Sequence, residues 1–131
     1  TEQDAVWMLD GAGYEHGGCC ISMTLRDYAR FGLFFMHGGK VNGQNVLPKG
    51  WVKAASTQQV KSDEGDLGYG YFWWIHPDGT YSAEGIFGQQ IFLDPKDDLV
   101  IVFNSAWPEA DADKYWAAQD AYTKAVRAAL H

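Results

Sequence analysis

Basic residues are scarce in this chain: ten lysines and arginines stand against seventeen aspartates and glutamates, for a formal net charge of −7. Proteins that bind phosphate backbones draw most of their affinity from clustered cations that release counterions, so nucleic acid is not an expected partner. Cysteine is limited to Cys19 and Cys20, neighbours in sequence. A bridge between adjacent residues needs uncommon geometry, so both are expected as reduced, packed thiols. The histidines His16, His37, His76 and His131 are scattered, zinc-ligand spacing is absent, and neither a metal nor a cofactor is expected. No apolar run reaches the roughly 18 residues of a membrane span, so no membrane partner is expected. The opening Thr-Glu-Gln-Asp has neither the basic start nor the apolar stretch of a signal peptide. Localisation stays open, because translation can begin upstream of these residues.

What the chain does contain is apolar and aromatic mass. Of its 131 residues 47% are hydrophobic and 15% aromatic, far from the profile of a disordered chain. At this length one core can form, with roughly two thirds of the unfolded surface removed from water. Residues 1–131 are therefore read as a single domain.

Glycines 11, 13, 17 and 18 mark the first twenty residues as an irregular loop. Thr24 and Asp27 form a capping-box-like start to a helix. Leu25, Tyr28, Ala29, Gly32, Leu33, Phe35 and Met36 recur along it at helical spacing, and Gly38-Gly39 ends it. Lys40 to Leu47 suggests a turn with a short extended piece. Pro48 suits the first position of a second helix containing Trp51, Val52, Ala54 and Ala55. Lys61 to Gly68 has the composition of a mobile loop, with Asp63, Glu64 and Asp66 as solvated charge. Tyr69 to Ile75 reads as a central strand buried on both faces, in which Trp73 and Trp74 point opposite ways. Turns at Pro77-Asp78-Gly79 and Asp94–Asp98 divide the following β-prone residues, giving three strands in an antiparallel meander. A closing helix over Lys114 to Leu130 would bring Tyr115, Gln119, Tyr122, Val126 and Leu130 to one face. The fold class is α/β in the broad sense (α+β), an antiparallel meander packed by helices.

Several strings in this order are familiar. Thr24 to Gly32, His37-Gly38-Gly39, and Val46-Leu47-Pro48 before Trp51-Val52 resemble the helical region after the second catalytic motif of β-lactamase-like serine hydrolases. Phe72-Trp73-Trp74, Glu84 to Pro95, Val100-Ile101-Val102 and Ser105 to Pro108 are similar to the end of the 6-aminohexanoate-dimer (nylon oligomer) hydrolases. The resemblance covers nearly the whole chain. It implies a partial β-lactamase/transpeptidase-like fold, forming the C-terminal part of the α/β domain of a larger serine hydrolase.

The family's nucleophile lies in a Ser-x-x-Lys motif. Here Ser22, Ser56, Ser62, Ser82 and Ser105 are the only serines, and none has lysine three residues on. The nucleophile and its base are thus expected on a missing N-terminal segment, and the chain alone is expected to be inactive. Ala83-Glu84-Gly85 is the best match to the family's Lys-Thr-Gly motif. The resemblance then makes the backbone N–H of Ile86 the oxyanion donor and Gly85 the point where substrate approaches the main chain. Alanine in place of the motif's lysine favours an esterase or amidase, with a small-molecule amide or ester as substrate. Trp7 aligns with a region bordering the substrate cleft, although an aromatic anchor for its own loop is the simpler reading. No histidine is assigned to catalysis, and His76 is read as a turn residue. The alternative is a noncatalytic ligand-binding or self-associating module, with self-association through an apolar face left bare.

Overall fold

The computed structural model describes residues 1–63 and 65–131; Glu64, one of the three acids read as solvated charge, lies outside the described residues. Thr24 starts the first helix, α1 (Leu25–Met36): its backbone is extended, and its hydroxyl accepts the Asp27 N–H at 3.2 Å. The hydroxyl donates back to the Asp27 carboxylate at 2.9 Å, closing the cap in both directions. Gly38, at φ 84°, ends the helix, and Gly39 N–H donates to the Phe34 carbonyl. A hairpin follows, β3 (Lys40–Val41) and β4 (Gln44–Asn45), turned by Asn42 and Gly43, both at positive φ. That pair of residues suits a tight hairpin turn, whose central positions both require φ above zero. Upstream, β1 (Val6–Trp7) and β2 (Ile21–Ser22) pair across the glycine-rich loop.

Six strands then run as one antiparallel sheet: β5 (Val60–Lys61), β6 (Gly68–Tyr69), β7 (Trp74–Ile75), β8 (Tyr81–Gly85), β9 (Gln89–Asp94) and β10 (Leu99–Asn104), in the spatial order β10-β9-β8-β7-β6-β5. The expected meander is present and is longer than the three strands read from the sequence. In the register Ala83 opposes Ile91 and Tyr81 opposes Leu93, all on the face that α1 covers. Phe35, Trp73, Tyr81, Ile91 and Leu93 make the core there. Gly32 allows the approach, since a Cβ at that position would meet Val100 Cγ1 at 2.9 Å. The opposite face carries Ser82, Glu84, Gln90 and Phe92 and lies under the last helix, α3 (Asp113–Ala128).

Four local expectations are corrected. Pro48 does not open the second helix. Gly50, at φ 83°, precedes α2 (Trp51–Ala55), and the Pro48 carbonyl instead accepts the Trp51 N–H in a turn. Tyr69 to Ile75 is not one buried strand. Phe72 sits at φ 66°, Tyr71 and Phe72 are exposed, and the run folds back as the β6–β7 hairpin. Trp73 and Trp74 do diverge, Trp73 lying tilted against Phe35 in the core and Trp74 edge-on to Tyr69. Of the face read from the sequence on α3, Gln119 does point inward, but it is joined there by Trp116, Thr123 and Arg127, while Tyr122 and Leu130 are exposed. Finally, Cys19 and Cys20 are neither reduced nor packed. They are joined as a disulfide in the exposed loop, where Cys20 takes φ 74° and no core surrounds either side chain.

Charge joins α3 to the sheet. Arg127 contacts Asp78 of the β7–β8 turn at 2.9 Å and buried Asp94 at 2.8 Å. Burial pushes the Asp78 carboxyl up, but bonds from Thr80 and from Arg127 outweigh it and hold the group at about 2. A carboxyl depressed in the folded state contributes stability above its ordinary value of 3.8, and that contribution is lost as pH falls through about 2. Near-UV circular dichroism of the tryptophans around α3 should therefore show a transition in acid. The Asp78→Asn variant should show a smaller change between pH 5 and 2, and identical curves would remove this clasp from the account.

Candidate functional site at the β8–β9 turn

β8 has an uneven pair of neighbours. Its whole length pairs with β9, while β7 pairs only with Tyr81 and Ser82. Among the described residues no strand therefore borders Ala83–Gly85 on the β7 side. The chain leaves this half-open strand at Gly85 and turns through Ile86, Phe87 and Gly88, where Gly88 N–H donates to the Gly85 carbonyl at 2.9 Å.

Carbonyl contacts fix the turn from outside. Asp111 N–H donates to the Ile86 carbonyl at 2.7 Å, Trp107 N–H to that of Phe87 at 3.1 Å, and Gln119 Nε2 to that of Gly88 at 3.1 Å. Gly88 stands at φ 84°, and a Cβ there would overlap the Trp107 ring. By contrast, the N–H groups of Ile86 and Phe87 donate to no group among the described residues. A turn held by its carbonyls, with two amides unspent, can offer fixed donors to an oxygen that gains charge. Phe87 was not singled out from the sequence, since only the folded turn shows which amides go unpaired.

The other candidates fall differently. Gly85 closes β8, and a Cβ there would meet Gln89 Oε1 at 2.5 Å. The Ile86 side chain is 54% exposed, and Ile86 borders neither of the two cavities described below. Trp7 serves its own loop: its indole donates to the carbonyls of His16 at 3.0 Å and Cys19 at 3.1 Å. No hydrogen bond or ring contact among the described residues joins Trp7 to the Gly85–Gly88 turn. The loop is instead tied to α1, where Asp27 accepts the Glu2 N–H at 2.8 Å and Arg30 Nη1 at 2.7 Å. Burial pushes the Asp27 carboxyl up, and the bonds from Glu2, Arg30, Thr24 and Gln3 more than reverse this, holding it well below the usual carboxylate range.

One cluster escaped the sequence reading. The β7–β8 hairpin brings His76 Nε2 within 3.0 Å of Ser82 Oγ, which donates to Glu84 Oε1 at 2.6 Å. A hydroxyl has one proton, and here the carboxylate takes it, so the imidazole Nε2 carries hydrogen and donates to Ser82. Ser82 is also fully buried. This triad of residue types therefore ties two strands together and does not activate a nucleophile. Burial raises the Tyr81 phenol to about 12, which removes it as a base near neutral pH. One cavity, of about 410 Å³, lies between this cluster and α3; a second, of about 460 Å³, is a shallow apolar recess beside Trp51 and Phe72. Among the described residues no three His, Cys, Asp or Glu side chains are grouped to hold a metal.

The sequence profile of the family described as Beta-lactamase matches residues 2–124. The chain belongs to the beta-lactamase family. It is 36% identical over 129 residues to a 6-aminohexanoate-dimer hydrolase of Paenarthrobacter ureafaciens, an alignment covering 88% of this chain and 32% of that protein. A solved structure from Bacillus anthracis, described provisionally as a 6-aminohexanoate-dimer hydrolase, superposes with a TM-score of 0.75 at 26% identity. The superposition covers 92% of this chain and 32% of that one. This beta-lactamase-family chain thus spans about a third of the length of each relative, and its helix-packed antiparallel sheet is the fold it shares with the solved structure over that third.

Proposed function

We propose that these residues form one wall of the active site of a serine hydrolase that cleaves an amide or ester of a small molecule through an acyl-serine intermediate. In this reading the Ile86 N–H, following Gly85 at the end of β8, is the main-chain donor to the oxyanion. Gly85 lets the substrate lie against the strand, and Trp7, from the glycine-rich N-terminal loop, is a second substrate contact in the complete protein. The observation that carries the proposal is the unpaired Ile86 amide on a turn immobilised by its carbonyls, in a chain of this family. The serine and its lysine base are supplied from outside the 131 residues, since none of the five serines here has lysine three positions on. Exposed apolar side chains on α1, among them Leu25, Phe31 and Leu33, fit a surface that meets such a further segment.

A fluorophosphonate probe tests this, because it marks an activated serine covalently. The 131-residue chain is expected to remain unlabelled. The same chain joined to an upstream segment carrying Ser-x-x-Lys is expected to label on that serine and to hydrolyse amides or esters. Labelling of Ser82, or of any serine in the isolated chain, would overturn the assignment.

A further inference from the structure

The cavity between α3 and the sheet is not used by the proposal above. It holds two polar side chains that are more than nine-tenths buried and incompletely bonded: Gln119 and Thr123, at 7% and 6% exposure. Gln119 spends its amide nitrogen on the Gly88 carbonyl, which leaves Oε1 as an acceptor with no partner. Thr123 Oγ1 has none either. Both belong to the lining of the cavity; Gln119 Oε1 can only accept and the Thr123 hydroxyl can accept or donate, so a ligand atom that donates hydrogen satisfies both.

Charge in the lining points the same way. Asp120 is paired with Lys124 at 2.6 Å and Asp78 with Arg127 at 2.9 Å. Glu84, the third carboxylate of the wall, is held by the neutral donors Ser82 at 2.6 Å and Gln90 at 3.2 Å, and among the described residues it has no ion pair. Arg127 is further neutralised by buried Asp94. The wall thus carries an excess of negative charge beside two unpartnered oxygens, with Phe92 and Trp116 supplying apolar surface. Its volume of about 410 Å³ is that of a small-molecule site.

We propose that this cavity binds a primary alkylammonium group, its N–H donors reaching Gln119 Oε1 and Thr123 Oγ1 while Glu84 balances the charge and the alkyl chain lies along Phe92 and Trp116. The three features required of the ligand are positive charge, N–H donors and a short apolar tail, and each answers a different part of the lining.

Titration of the isotopically labelled chain with n-butylammonium, followed by NMR, separates them. Saturable shifts are expected at the Gln119 side-chain amide and at Thr123. Tetramethylammonium, which has charge but no donor, and 1-butanol, which has a donor but no charge, should each bind at least about tenfold more weakly. Glu84→Gln should weaken n-butylammonium by about tenfold as well, and Gln119→Leu should do the same in a chain whose spectrum remains folded. Equal responses to the three probes, or no saturable shift at Gln119 and Thr123 in the unaltered chain, would overturn the proposal. None of these readouts depends on hydrolysis, so the assignment of the β8–β9 turn can fail without affecting it, and the reverse.

Discussion

Gly70→Ala is expected to lower the stability of this chain by about 2–4 kcal/mol, the sum of an overpacking cost and one lost backbone hydrogen bond. Gly70 is buried where the β6–β7 hairpin meets the end of α2, and its own N–H donates to the Trp73 carbonyl at 2.8 Å. A methyl group there would overlap the Ala55 carbonyl oxygen and stand 3.1 Å from that of Thr57. Neither neighbour is a flexible side chain that can swing aside. The Ala55 carbonyl also accepts the Tyr71 N–H at 3.0 Å, so relieving the overlap pulls apart the joint between α2 and the sheet. Gly11→Ala, with nothing within 4 Å of the added carbon, is the matched control and should stay within about 0.5 kcal/mol of the parent. Urea denaturation reads the difference as a shift in midpoint at constant slope. A Gly70→Ala chain as stable as Gly11→Ala would mean that the hairpin does not pack on α2 as described.

The same hairpin shows why the sequence was legible in some places and not in others. Thr24, Asp27 and Gly38-Gly39 carry their instructions locally, through a cap at one end and a left-handed residue at the other, and α1 follows them. Asp94–Asp98 turns β9 into β10 for the same reason. Tyr69 to Ile75 has no such marker. Its seven residues are aromatic, glycine or β-branched, and a continuous apolar run looks alike whether it is one strand or a fold-back. The decision is made by Phe72 at φ 66° and by the distant Ala55 carbonyl, which the local pattern cannot show. α3 went astray similarly. Gln119 points inward as read, but Thr123 and Arg127 accompany it in place of Tyr122, because Gln119 bonds to the β8–β9 turn and Arg127 to the acids beneath. For the site, Gly85 and Ile86 came from resemblance to a family rather than from residue chemistry. No side chain at those positions does anything a pattern could register, since the proposed donor is a main-chain amide.

That main-chain character makes the function testable by a single change. In the complete hydrolase, Ile86→Pro is expected to reduce turnover by about 10²–10³-fold, the usual effect of removing one oxyanion donor. Ile86→Ala, which keeps the amide, should remain within a few-fold of the parent. Proline removes the N–H and fixes φ near the value that the second residue of a common β-turn adopts. It also asks the preceding residue to be extended, which Gly85, at the end of β8, already is. Because the Ile86 N–H donates to nothing else among the described residues, its loss should not cost fold stability. The 131-residue chain with Ile86→Pro should therefore unfold at the parental urea midpoint. Low turnover with an unchanged midpoint would trace the effect to the missing donor and not to a damaged turn. Full activity in the proline variant would move the oxyanion donor elsewhere and leave Gly85 and Ile86 as ordinary residues of a hairpin.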